Sequence, residues 1–146
     1  MKIIKKKGSL ILENIFAIAV ILVVICSIYK IVISNYRWQA IKNKEEEFLR
    51  IVYCLEQELK YNLTIEEIRS MANENTILIS KDNILKELTY KSLMNVDKGN
   101  DIIISINTIS ENRIKVYICL SEEYYGNTLK SERDFIKDSV MDEYYK

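Results

Sequence analysis

The chain has 146 residues, 21 basic and 21 acidic side chains, no histidine, no proline and three glycines. That length fits about one domain, and a hydrophobic share of 49% with a charged share of 29% excludes both a disordered chain and a polytopic membrane protein. Without histidine the chain lacks the usual general base near neutral pH and the commonest metal ligand, and its three cysteines have no CxxC spacing. The charge is unevenly placed. Lys2, Lys5, Lys6 and Lys7 precede Gly8, which leaves 17 basic against 21 acidic residues from Ser9 onward, a net of −4. A mildly acidic bulk gives no broad footprint for nucleic acid.

The first element is an apolar helix. Leu10 to Ile33 is 24 residues with only Glu13 and Lys30 charged. As a helix it is roughly 36 Å long, against about 30 Å of bilayer hydrocarbon. The lysines ahead of it put the N-terminus in the cytoplasm and everything after Ile33 outside, by the positive-inside rule. The segment is too long for a secretory signal peptide, and Cys26-Ser27-Ile28 is a poor cleavage site. A plain single-pass anchor explains the length and the lysines but not Glu13. That carboxylate lies about one helical turn inside the apolar layer, where burial costs up to ~3 kcal/mol at the centre and less near the interface.

The run Lys6-Lys7-Gly8-Ser9-Leu10-Ile11-Leu12-Glu13 resembles the class III leader of type IV pilins and type II secretion pseudopilins. The resemblance covers about the first 30 residues. It implies that a prepilin peptidase cuts between Gly8 and Ser9 on the cytoplasmic side, after the basic residues Lys5, Lys6 and Lys7. Ser9 then becomes the first mature residue and Glu13 the fifth, the position of the family's hallmark acid. The resemblance further implies that Glu13 pairs with the new amine of a neighbouring subunit. Two charges that are costly in lipid are stabilised by meeting each other. Ser9 departs from the family pattern, in which Phe or Met stands first and the amine is methylated.

Tyr36 to Leu63 continues as helix, with no breaker in it. Arg37 to Glu47 is polar and crosses the headgroup layer into water. Phe48, Val52, Leu55, Leu59 and Leu63, with Ile51 beside them, form one apolar stripe at helical period that packs on a sheet. Thr64 and Glu67 make a capping-box pattern, which starts a short helix from Ile65 to about Ala72. Thr76 to Ser80 and Ile84 to Tyr90 are expected as strands flanking a turn at Asp82-Asn83, and Leu93 to Val96 as a short edge strand. Lys98-Gly99-Asn100-Asp101 is the clearest turn signal. Ile102 to Ile109 and Arg113 to Leu120 form the best hairpin, with Ile102, Ile104 and Ile106 as the apolar face of the first strand and Ile114, Val116, Ile118 and Leu120 as that of the second. Glu122 to Asn127 is expected as a loop. Ser131 to Tyr145 is expected as a short C-terminal helix, with Ile136 and Val140 on its apolar edge, or as an extended tail.

Other groupings carry less. Cys54 lies off the helix stripe and Cys119 on the strand face opposite the core set, which argues against a bond between them, and Cys26 serves as a small apolar residue. The acids Glu45-Glu46-Glu47, Glu122-Glu123 and Asp142-Glu143 lack the spacing of a calcium loop and read as solvated faces. Tyr124-Tyr125 and Tyr144-Tyr145 are candidate surface contacts. No nucleophile–base set, phosphate loop or metal cluster stands out, so neither an enzyme nor a cofactor is expected.

The expected fold is therefore α+β and pilin-like, a long N-terminal helix packed through its second half on a small antiparallel sheet. Residues 1–8 are the leader, 9–34 the transmembrane and assembly part, and 35–146 an extracytoplasmic domain. That domain has helix to about 63, sheet over about 76–120 and then a C-terminal helix or tail. The expected role is a structural subunit, a minor one on the grounds of Ser9 and the short acidic outer domain, in a cell-surface fibre. The resemblance leaves open type II secretion, type IV pili and the DNA-uptake machinery of competent Gram-positive bacteria. Its expected partners are other pilin or pseudopilin subunits, the prepilin peptidase and membrane lipid, without direct contact to nucleic acid. The alternative is an uncleaved single-pass membrane protein whose outer domain senses or scaffolds.

Overall fold

The structure, a computed structural model, describes residues 3–139, with side chains from residue 10 onward. Val140, Asp142-Glu143 and Tyr144-Tyr145 lie outside the described residues, as does Lys2. The chain divides into two compact units, Met1–Ala40 and Ile41–Lys146.

A single helix, α1, runs from Ile3 to Gln57 and contributes to both units. Nothing in the sequence interrupts it. Proline is absent from the chain, and the one glycine in it, Gly8, is near its start. Every described side chain from Leu10 to Gln39 is exposed, and the first to lose exposure are Ala40 and Ile41. The last helical turn widens into a π-helical turn, Glu58–Asn62, and ends at Leu63 in extended backbone.

In the second unit the expected helix stripe is the core. Phe48, Ile51, Val52, Leu55, Leu59 and Leu63 are all buried, in one cluster with the apolar faces of the strands. The capping box at Thr64 is present. Thr64 Oγ1 accepts from the Glu67 amide at 3.2 Å and the Glu67 carboxylate accepts from the Thr64 amide at 2.8 Å. It opens α2, Ile65–Met71, whose Ile65 and Ile68 are buried.

The sheet has four antiparallel strands in sequence order, β1 (Thr76–Ile79), β2 (Ile102–Ser110), β3 (Arg113–Tyr124) and β4 (Asn127–Asp138). The β2–β3 hairpin is as expected, with Ile104 opposite Ile118 and Ile106 opposite Val116. Its seven alternating apolar residues are all buried.

Three expectations are corrected. Ile84 to Tyr90 is not a strand. Asn83, at φ 59°, instead starts the four-residue helix α3, Ile84–Glu87, which buries Ile84 and Glu87. Leu93 to Val96 is not an edge strand either, but a 3-10 turn over Leu93–Asn95 that seats Leu93 in the core. In both, a few buried contacts outweigh weak local strand propensity.

The third correction is the largest. Glu122 to Asn127 is not a loop, and Ser131 to Asp138 is neither helix nor tail. Glu122 to Tyr124 complete β3, and Asn127–Asp138 forms β4, paired with β3 along its length. Only Tyr125 and Gly126 lie between Tyr124 and Asn127, and both have positive φ, 50° and 75°. That is what the two-residue turn that matches strand twist requires. Gly126 meets the requirement without strain, and the Tyr125 ring stands edge-on to Tyr124 at 4.6 Å.

Candidate assembly and processing site

The proposed processing residues lie near the start of α1. Lys5, Lys6, Lys7, Gly8 and Ser9 are helical in backbone. Ser9 and Glu13 are four positions apart, so they lie one above the other on one side of the helix. The structure thus brings those two positions together within a single chain, and it leaves the Glu13 side chain exposed.

From Leu10 to Ile33 the large apolar residues cover every side of the helix. Leu12 is 74% and Phe16 73% exposed, and among those residues exposure does not fall below the 36% of Ile33. A helix apolar all round has no preferred face for a soluble core and suits hydrocarbon on all sides. It is the one described helix long and apolar enough to cross a membrane. Its few polar side chains are economical. Ser27 Oγ donates to the Val23 carbonyl at 2.8 Å, so that hydroxyl is satisfied inside the helix. Cys26 is a free, exposed thiol. Where the apolar run ends, Tyr36 and Trp38 are 71% and 62% exposed.

In the second unit several charges are paired. Among the triplet acids, Glu47 accepts from Lys44 at 2.9 Å and Glu46 faces Arg50 at 3.9 Å. The hydrogen bond from Lys44 to Glu47 holds the Lys44 ammonium above its usual pKa, against some desolvation. Glu122 pairs with Lys81 at 2.6 Å. On the sheet face away from the helix, Glu132 accepts from Lys130 at 2.5 Å and from the Tyr117 hydroxyl. Those two bonds hold its carboxyl below the ordinary carboxylate range. Lys115 does the same to Asp134 from 2.8 Å. The ion pairs take up Glu46, Glu47 and Glu122 of the acidic clusters, and among the described residues no group of three His, Cys, Asp or Glu converges.

Cys54 and Cys119 are free and half-buried. Cys119 stands between Ile103 and Glu132 in the register, in the alternate set to the buried Ile118 and Leu120. A cavity of about 770 Å³ borders β1 and is lined by Met71, Ile77, Leu78, Leu93 and Met94 among others. No cysteine lines it, and its polar lining includes Glu74 and Lys98.

Reading the C-terminal part as a tail hid one cluster. Arg133 of β4 reaches back to Glu56 of α1 at 2.9 Å and lies over the Tyr53 ring at 5.7 Å. Lys137 is only 1% exposed, and its Nζ donates to the Lys60 carbonyl in the π-helical turn at 2.8 Å. A cation at a helix C-terminus, where carbonyls lack intrahelical partners, is favourably placed. The signal was the period-two set Leu129, Ser131, Phe135 and Lys137, all buried. It was masked because two of its four members are polar. No protein-family profile matches the chain, and neither a curated protein nor a solved structure does.

Proposed function

We propose that the chain is a prepilin-like structural subunit, processed between Gly8 and Ser9 by a prepilin peptidase and assembled through α1 with other pilin or pseudopilin subunits. The observation that carries the reading is Glu13, a lone acid four positions after Ser9 at the start of a helix that is apolar all round to Ile33. A membrane anchor alone does not require that acid. An amine created at Ser9 supplies it with a partner of opposite charge, and the same cut removes the lysines that hold the N-terminus in the cytoplasm. Gly8 lowers local helix stability by about 1 kcal/mol relative to alanine, which eases unwinding of the backbone at the cut. The uninterrupted run of α1 from Ile3 to Gln57, which continues past the apolar stretch into residues of the buried core, adds support.

The reading places the protein in the cell membrane with its bulk outside before assembly, and in a surface fibre or pseudopilus afterwards. It assigns the protein no catalytic residue and no cofactor. The test is expression with and without a competent prepilin peptidase, followed by determination of the N-terminus. A mature start at Ser9 is expected only with the enzyme. An intact leader in its presence would favour the uncleaved single-pass protein instead. Glu13→Ala is expected to insert into membrane normally and to fail to enter the fibre, and normal incorporation would remove the role given to that acid.

A further inference from the structure

We propose that Tyr36, Arg37 and Trp38 form an interfacial girdle that seats α1 in the outer phospholipid headgroup layer, and that this seat puts Glu13 at the opposite edge of the hydrocarbon rather than inside it. The proposal rests only on the membrane-spanning part of the reading above and requires neither cleavage nor assembly.

Tyr36 and Trp38 are both largely exposed. Two positions apart at about 100° per residue, they project on nearly opposite sides of α1, with Arg37 between them. A contact with a partner helix needs a stripe along one side, at spacings of about three, four and seven residues. A ring at one level suits a planar boundary that surrounds the helix. Aromatic side chains with a polar handle prefer the boundary between hydrocarbon and headgroups.

Arg37 and Lys30 are seven positions apart, on one side of the helix. Lys30 follows Tyr29 near the end of the apolar run and has no acid within the next fourteen residues of sequence. A lysine there extends its ammonium toward the interface while its stem stays in the apolar layer. Phosphate is the complement both cations meet at that level, and Arg37 is suited to bidentate contact with it.

From Ile33, the last aliphatic residue of the run, back to Glu13 is twenty residues. They rise about 30 Å, the thickness of the hydrocarbon layer. With the girdle in the outer headgroups, Ile33 lies at the outer hydrocarbon edge and Glu13 at the inner one, where its carboxylate keeps contact with water. Moving the helix outward by one turn carries Trp38 out of the interface and Glu13 into hydrocarbon. The two ends therefore resist that movement together, and a cationic partner for Glu13 relieves the resistance at the inner end.

Trp38 is the only tryptophan in the chain, so it reports its own depth. The experiment uses the full uncleaved chain in vesicles of phosphatidylcholine and phosphatidylglycerol whose acyl chains are brominated at successive depths. The expected result is strongest quenching by the shallowest bromines, with emission blue-shifted from that of tryptophan in water. Tyr36→Ala with Arg37→Ala is expected to shift the depth of strongest quenching. Strongest quenching by the deepest bromines, or free access to aqueous iodide without lipid quenching, overturns the girdle. Shielding from both lipid and iodide marks a protein partner there and overturns it as well. For the inner edge, Glu13→Cys is placed in a background with Cys26, Cys54 and Cys119 changed to serine. It is expected to react with a membrane-impermeant maleimide on the leader side as readily as Lys7→Cys does, and loss of labelling overturns the placement of Glu13. A failed cut at Gly8 leaves these outcomes unchanged, and a misplaced Trp38 leaves the cleavage test unchanged.

Discussion

Two stretches of α1 have the same backbone and opposite relations to their surroundings. From Leu10 to Ile33 the large apolar side chains are exposed on every side, whereas from Phe48 to Leu59 one apolar stripe is wholly buried and, outside it, Leu49 and Tyr53 are exposed. The difference lies in the pattern. An unbroken apolar run leaves no polar side to face water, and a stripe repeating every three or four residues leaves two-thirds of the helix free for charge. The boundary between the two patterns falls where Arg37, Lys42, Lys44 and the three glutamates enter the sequence. One helix can thus meet two different surroundings without a break, because backbone hydrogen bonds are satisfied internally in both.

Removing the same kind of mass from each stretch separates their two roles. Leu55→Ala opens a cavity in a fully buried site and is expected to destabilise the outer unit by about 2–5 kcal/mol, whereas Val23→Ala is expected to stay within about 0.5 kcal/mol. Chemical unfolding of detergent-solubilised protein measures both. Equal losses would mean that the first stretch also packs against the outer unit. A charge reverses the order of sensitivity. Val23→Lys is expected to cost membrane insertion about 2.5–3.5 kcal/mol and to leave the unfolding midpoint of the outer unit unchanged, as read by glycosylation-site or protease accessibility assays together with a melt. A loss of the outer unit's stability would tie the two stretches together.

The smallest expected effect concerns pH, and it is confined to the outer unit. Lys115 and Lys130 depress the carboxyls of Asp134 and Glu132. A depressed acid contributes stability that is present above its unfolded pKa and is lost as pH falls through its folded one. The outer unit is therefore expected to lose a little stability on acidification below about pH 4. The groups are exposed, so added salt is expected to reduce the slope. Asp134→Asn should flatten it further, and a slope unchanged in that variant would show that other acids carry it.

Much of the fold is legible along the chain where one physical signal dominates. The stripe at Phe48, Val52, Leu55, Leu59 and Leu63, the capping box at Thr64 and the β2–β3 alternation each repeat one rule often enough to outweigh exceptions. Legibility fails where the rule is carried by few or unusual residues. Tyr125-Gly126 makes a tight hairpin turn with a bulky residue in a left-handed conformation, so EEYYGN looks like a loop. The inner face of β4 includes Ser131 and Lys137, so its alternation looks like a charged tail. Of the proposed site, the order of Lys5, Lys6, Lys7, Gly8, Ser9 and Glu13 is wholly a property of the sequence, and the structure adds that Ser9 and Glu13 share one side of a continuous helix.

The sequence by itself determined the membrane-length apolar helix, its single acid and the residues that change from lipid-like to water-like surroundings, because composition and period are local quantities. That the C-terminal stretch is the fourth strand depends on its pairing with β3. The folded chain also places Lys137 in the interior, where its ammonium donates a hydrogen bond to the Lys60 carbonyl 77 positions away. A buried cation is costly until a specific acceptor is brought to it. Which acceptor that is depends on how distant segments meet, and no window of sequence contains it.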